Sequence, residues 1–209
     1  MITQFHDHQE LRSRRRELKD DKYYHIVNRG VVKRKTFRDE EDYDIFLRLL
    51  KIGCKQFKVR LIAFSLMPNH FHLLVWSIRG EDISACMQWV TGNYARLFNV
   101  RYGLDGHVWE GRFKSKEVQE GRQLGNTWRY VEQNPVRARL VDSPEKWEWT
   151  SAYVRAHNAE ESFLTEPPWW GSEIMKKWWS TQRLIPEELE KIRRSLQKNT
   201  LLDSLLESC

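Results

Sequence analysis

The spacing of hydrophobic and polar positions changes period several times along the chain, and each change predicts an element. KYYHIVNRG (Lys22–Gly30) concentrates aromatic and β-branched residues ahead of an Asn-Arg-Gly turn, which predicts a strand. DEEDYDIFLRLLKIGCKQF opens with acidic residues and continues with apolar ones at helical spacing. Phe46, Leu47, Leu49, Leu50 and Ile52 form its predicted buried stripe. KVRLIAFSLMP and HFHLLVWS predict two further strands joined at the Met67-Pro68-Asn69 corner, and strands so close in sequence pair antiparallel.

DISACMQWVTGNYARLFNVRYG predicts a second helix with Ile83, Met87, Val90, Tyr94, Leu97 and Phe98 inward. GHVWEGRFKSKEV alternates as a fourth strand would. Val108, Glu110, Arg112, Lys114 and Lys116 share one face, and Trp109, Phe113 and Ser115 the other. LGNTWRYVEQ predicts a third helix stopped at Asn134-Pro135, because proline disfavours helical geometry in the residue before it. The order strand, helix, strand, strand, helix, strand, helix is a split βαβ pattern. The expected fold class is α+β, an antiparallel sheet with helices packed on it and a helical C-terminal extension. Residues 1–21 read as a basic arm, 22–155 as the main domain and 156–209 as the extension, where PEELEKIRRSLQKNTLLDSLLES is amphipathic.

Composition narrows the setting. No run reaches the apolar length of a membrane span, and the first residues lack a signal-peptide segment. Cys54, Cys86 and Cys209 are odd in number and without CxxC spacing, which argues against a disulfide framework or a zinc site. A soluble cytoplasmic protein with no membrane partner is expected. The net charge of +6 points only weakly to nucleic acid, but its placement is more informative. Arg12, Arg14, Arg15 and Arg16 lie in the arm, Lys33, Arg34, Lys35 and Arg38 follow the first strand, and Arg112, Lys114 and Lys116 lie on the fourth. Of the ten tryptophans, six fall in the last third of the chain, and packing is the ordinary role of such residues.

Two features carry candidate chemistry. On a strand, residues i and i+2 share a face about 7 Å apart, so His70 and His72 can aim two imidazoles at one divalent cation while Phe71 points into the other layer. Two histidines do not complete a catalytic metal site, and such a doublet is often a pair of hydrogen-bonded core residues. In RYVEQNPVRARLV, Tyr130 and Asn134 lie on one helical face. A tyrosine hydroxyl beside a metal-polarised phosphate can attack phosphorus. An amide oxygen from Asn134 suits Mg²⁺ or Mn²⁺. The same residues read equally as a helix tyrosine packed on the sheet and a helix cap before proline.

YHIVNRG, FSLMPNHFHLLVW, GHVWEGRFKS and RYVEQNPVRARLV occur in an order and spacing that resemble the single-tyrosine HUH transposases, especially REP-associated tyrosine transposases. The resemblance runs from about Lys22 to Tyr153 and includes PEKWEWTSAY. It implies that His70 and His72 hold Mg²⁺ or Mn²⁺ against the scissile phosphate of single-stranded DNA at a hairpin. Tyr130 would attack to give a 5′-phosphotyrosine and a free 3′-hydroxyl, and Asn134 would complete the metal site. The chain departs from the family pattern at Glu132-Gln133, where histidine, leucine or tyrosine is more usual, so Glu132 and Gln133 stand beside Asn134 as alternative ligands. Arg112, Lys114, Lys116, Arg137 and Arg139 are expected on hairpin phosphates, with Arg14, Arg15 and Arg16 as an arm that could enter a groove.

Two other readings compete with this one: a non-catalytic nucleic-acid-binding module, and a metal-dependent phosphodiesterase that uses water. The sheet order resembles an RNA-recognition fold, but the aromatic motif that stacks bases there is absent. Monomer and homodimer are both open, as is whether Tyr130 serves its own sheet or a partner's.

Overall fold

The computed structural model describes residues 18–157 and 163–166. Its elements run β1 (Lys22–Arg29), α1 (Glu40–Gln56), β2 (Arg60–Met67), β3 (His70–Ser77), α2 (Gly80–Tyr102), β4 (Lys114–Val118), α3 (Arg122–Glu132), α4 (Asn134–Arg137) and α5 (Ser151–His157). The strands form one sheet in the order β2-β3-β1-β4, and each pair of neighbours is antiparallel. This is the expected α+β fold with split βαβ connections. The arm containing Arg14, Arg15 and Arg16 lies outside the described residues, as does nearly all of the 156–209 extension.

Alternation along the strands divides the side chains between two layers. Tyr24, Ile26, Leu61, Phe64, Leu66, Phe71, Leu73 and Val75 join the apolar faces of α1 and α2 in the larger core. Phe37, Phe46, Tyr94 and Trp109 pack around Phe71 there, at ring-centroid separations such as 5.0 Å for Phe46–Phe71 and 5.4 Å for Phe71–Trp109. Tyr23, Val27, Ile62, Ala63, Leu74 and Val118 face the other way and are covered by Leu124, Trp128, Tyr130 and Val131 of α3. Full burial of an aliphatic side chain such as Leu124 contributes about 1.5–3 kcal/mol.

Local chemistry fixes where the helices begin and end. Asp39 caps α1 by accepting from the Asp42 amide, and Glu40, Glu41 and Asp42 place negative charge at its positive end. Gly103 closes α2 in the left-handed conformation that glycine adopts without strain. Gly30 donates its amide to the Asn69 carbonyl, and a β-carbon there would collide with the Arg34 carbonyl. The close approach ties the end of β1 to the corner that precedes His70.

Three details differ from the sequence reading. Ile52 is exposed, and the buried stripe of α1 runs instead through Tyr43, Phe46, Leu50, Gly53 and Cys54. The fourth strand is only Lys114–Val118. Residues 106–113 form loop structure, touching the sheet through an isolated bridge between Trp109 and Gly30, so Arg112 is not a strand residue. The third helix breaks at Gln133 rather than at Asn134, and Pro135 sits in the first turn of α4, where its missing N–H costs nothing.

The C-terminal end of α3 is pinned by a buried cluster. The Glu132 carboxylate accepts from Ser151 Oγ and Arg155 Nη1, both at 2.6 Å, while Arg155 also donates to the Ile62 carbonyl and covers the Trp128 ring at 4.4 Å. Removing one partner of a buried pair leaves the other charge uncompensated. Glu132→Ala is expected to lower the unfolding free energy in urea by about 3 kcal/mol. A loss well under 1 kcal/mol would show that the cluster does not hold α3 in place.

Candidate active site

The pairing of β1 with β3 decides which side chains meet. Val27 lies opposite His72 and Arg29 opposite His70, and partners directly opposite in an antiparallel pair share a face. On β4, Lys114 lies opposite Val27 and Lys116 opposite His25. His25, Arg29, His70, His72, Lys114 and Lys116 therefore project from the face that α3 covers.

At the centre of that face three imidazoles meet. His25 Nε2 and His72 Nδ1 share a hydrogen bond of 3.0 Å, their ring planes within 17° of parallel and their centroids 5.1 Å apart. His70 stands edge-on to His72, with centroids 5.0 Å apart, and its Nδ1 donates to Asn69 Oδ1 at 2.6 Å. All three rings are buried. Burial, reinforced by the positive charge of Arg137 and Lys116, pushes the pKa of His25 down to about 3. Burial together with Arg29 and Arg137 brings His70 to about 3. His72 is also held well below its ordinary value, first by burial and then by its two histidine neighbours and Arg137. The rings are neutral at physiological pH, and a neutral imidazole keeps a lone pair for a metal.

Tyr130 comes to this cluster from α3. Its ring centroid lies 5.8 Å from that of His25 and 5.8 Å from that of His72, edge-on to both, within a single chain. Arg137 of α4 lies over the Tyr130 ring at 4.1 Å. Asn134 links the two helices. Its amide nitrogen donates to the Tyr130 and Val131 carbonyls at 3.0 and 3.2 Å, capping α3, and its oxygen accepts from Arg137 Nη2 at 3.3 Å. Cap and candidate ligand are thus separate atoms of one side chain. Glu132 is engaged elsewhere, with Ser151 and Arg155.

The predicted DNA-contacting residues fall into three groups. Lys114, Lys116 and Arg137 lie on or beside the site face, and burial lowers the Lys114 pKa. Arg139 is exposed just beyond α4. Arg112 lines a separate cleft of about 730 Å³ between α2 and residues 106–113, to which none of His25, His70, His72 and Tyr130 contributes. The sequence reading assigned no role to His25 or Arg29. Arg29 is buried and bonds Glu110 through both carboxylate oxygens, at 2.9 and 3.1 Å. The signal for both was the alternation of YHIVNRG, which puts His25, Val27 and Arg29 on one face.

Among the described residues no set of three or more His, Cys, Asp or Glu side chains is placed to hold a metal ion. The candidate donors are the two neutral imidazoles, which lie together, and the Asn134 oxygen, which is held by Arg137. Asn69 holds His70 Nδ1 as a donor and so leaves Nε2 with its lone pair, and His72 Nε2 is the nitrogen not used toward His25. Such a set fits a cation that completes its shell with water or phosphate oxygen. No helix among the described residues is long and apolar enough to cross a membrane.

An antiparallel sheet presents a histidine doublet to a tyrosine on the covering helix, and sequence comparison places the domain that carries them. Residues 19–134, more than half of the chain, match the family described as IS200-like transposases, and the chain belongs to that family of enzymes acting on DNA. A Haemophilus influenzae protein provisionally named a REP-associated tyrosine transposase is 22% identical over 142 residues, covering 63% of this chain and 78% of its own. Among solved structures, a REP-associated tyrosine transposase bound to a REP hairpin superposes with a TM-score of 0.56 at 16% identity. That match covers 74% of this chain and 90% of the other, and it shows a shared fold.

The buried neutral histidines make stability depend on pH with a definite sign. His25 and His70 titrate near 6.5 when unfolded and near 3 when folded, so the unfolded chain binds more protons between those values. Their contribution is full above about pH 6.5 and is lost as pH falls toward 3, at up to about 1.4 kcal/mol per pH unit for each. Urea unfolding at pH 7.5 and pH 5 is expected to show a marked loss at the lower value, and His25→Gln a shallower one. Equal stability at both values would mean the imidazoles are charged or solvated.

Proposed function

We propose that this transposase nicks and rejoins single-stranded DNA beside a hairpin, with Tyr130 as nucleophile and a divalent cation held by His70, His72 and the Asn134 oxygen. The observation that carries this reading is the position of Tyr130, 5.8 Å by ring centroid from the His72 ring of its own chain. The cation would neutralise and polarise the scissile phosphate. Two imidazole nitrogens and no carboxylate suit Mn²⁺ better than Mg²⁺, which prefers an all-oxygen shell.

The chain's own residues account for the remaining steps. Tyr130 Oη attacks phosphorus, the P–O3′ bond breaks, and the tyrosine proton ends on the departing 3′-oxygen. The products are a 5′-phosphotyrosine and a free 3′-hydroxyl. Attack by a 3′-hydroxyl reverses the step, releases Tyr130 and rejoins the strand without a nucleotide cofactor. Arg137, over the Tyr130 ring, supplies positive charge where phosphate oxygens would gather. Lys114 and Lys116 extend that charge along the same face of the sheet. Tyr130 and both histidines are buried, so admitting a phosphate requires a displacement in this layer. Arg137 is the partly exposed member of the cluster. A hairpin substrate is supported by the solved relative, which is described as bound to a REP hairpin.

Incubating the protein with Mn²⁺ and a labelled single strand carrying a hairpin is expected to give a protein–DNA adduct that survives denaturation and is absent in Tyr130→Phe. Cleavage that persists in Tyr130→Phe would replace this reading with hydrolysis by water, and binding without cleavage would reduce the protein to a DNA-binding module.

A further inference from the structure

The two candidate metal-binding histidines are held alike through Nδ1, but by different partners. His70 Nδ1 meets the Asn69 side-chain oxygen at 2.6 Å, and an amide oxygen can only accept. His70 is thereby held with its proton on Nδ1 and its lone pair on Nε2. His72 Nδ1 meets another imidazole, His25 Nε2, at 3.0 Å, and an imidazole nitrogen either donates or accepts. Two arrangements of the same two protons satisfy that contact. Only the one in which His72 Nδ1 donates to His25 Nε2 leaves His72 Nε2 free to bind a cation.

We propose that His25 is a positioning residue for the metal site: it accepts the Nδ1 proton of His72 and so keeps His72 Nε2 as the ligand atom. The inference rests on the metal-binding reading given above. Ligating histidines generally donate their second ring N–H to an acceptor that fixes tautomer and ring orientation, and here an imidazole from the neighbouring strand takes that place. The hydrogen bond between the two rings, whose planes lie within 17° of parallel, and the burial of both leave little room to rotate either one.

Each tautomer of the pair leaves one N–H pointing away from the shared contact. When His25 accepts through Nε2, its own proton lies on Nδ1, which is buried and meets no hydrogen-bond partner among the described residues. A buried N–H without a partner is costly. In the opposite arrangement, in which His25 Nε2 donates, the outward N–H is on His72 Nε2, which also meets no partner among the described residues, so the contact by itself selects neither tautomer. A cation at His72 Nε2 would select the arrangement in which His72 Nδ1 donates, with no change in the total charge of the pair.

Two measurements test the role. Nitrogen-15 imidazole spectra of the Mg²⁺-loaded protein are expected to show His72 protonated at Nδ1 and His25 unprotonated at Nε2. Mn²⁺ titrations followed by electron paramagnetic resonance are expected to show about 10–100-fold weaker binding in His25→Phe. His25→Gln, which restores an acceptor oxygen, is expected to recover most of that loss, with circular dichroism showing that the variants are folded. His72 carrying its proton on Nε2 in the loaded protein, or His25→Phe binding Mn²⁺ as tightly as the wild type, would overturn the proposal. Should His25→Phe bind normally while His70→Ala does not, the metal site stands and the role of His25 falls. Failure of the wild type to bind Mn²⁺ removes both. If the variants do not fold, the loaded wild-type spectrum decides alone.

Discussion

The pairing of β1 with β3 is the constraint from which the candidate site follows. Because side chains alternate along a strand, a slip of one residue would send His70 and His72 into the aromatic core and bring Phe71 to the other face. The large core resists that slip. Phe71 packs on Phe46 and Trp109, and Ile26, Leu73 and Val75 share its layer. Burial of an apolar layer on one face thus fixes where polar groups stand on the other. The imidazoles occupy a protein interior because each has its Nδ1 or Nε2 in a hydrogen bond and each stays neutral.

The second requirement is a helix laid across that face in one place. Leu124, Trp128 and Val131 supply the apolar contact, and the Glu132–Ser151–Arg155 cluster fixes the end of α3. Asn134 then holds the break between α3 and α4 through the Tyr130 and Val131 carbonyls. As a result Arg137 comes back over the Tyr130 ring. The residues that set the helix in place and those proposed to carry the chemistry are interleaved along one stretch of sequence. Glu132, a ligand candidate by its place in the family pattern, is one of the residues that hold the helix.

Much of this was legible in the sequence because it depends on period and spacing. The split βαβ order, the shared face of His70 and His72, and the turn from Tyr130 to Asn134 all follow from local rules. The misreadings arose where tertiary contacts decide. Ile52 fits a helical stripe by spacing, but the packing of α1 on α2, with Gly53 against Val90 and Cys86, buries Gly53 and Cys54 instead. The alternation of GHVWEGRFKSKEV is genuine, yet only Lys114–Val118 pairs with β1, and Trp109 reaches the core from a loop. His25 escaped notice because its meaning depends on a hydrogen bond to a residue 47 positions away. The partner of Glu132 lies 23 positions further on and carries no local signature.

The central claim is that Tyr130, set before the histidine cluster of its own chain, becomes covalently joined to DNA. Tandem mass spectrometry of a nuclease-trimmed, trypsin-digested adduct tests it most directly. Cleavage after Arg129 and Arg137 isolates the peptide YVEQNPVR, which begins at Tyr130. The account predicts that this peptide carries a nucleotide through a 5′-phosphate on the tyrosine. A nucleotide attached to any other residue, or cleaved DNA with no modified peptide, would contradict it.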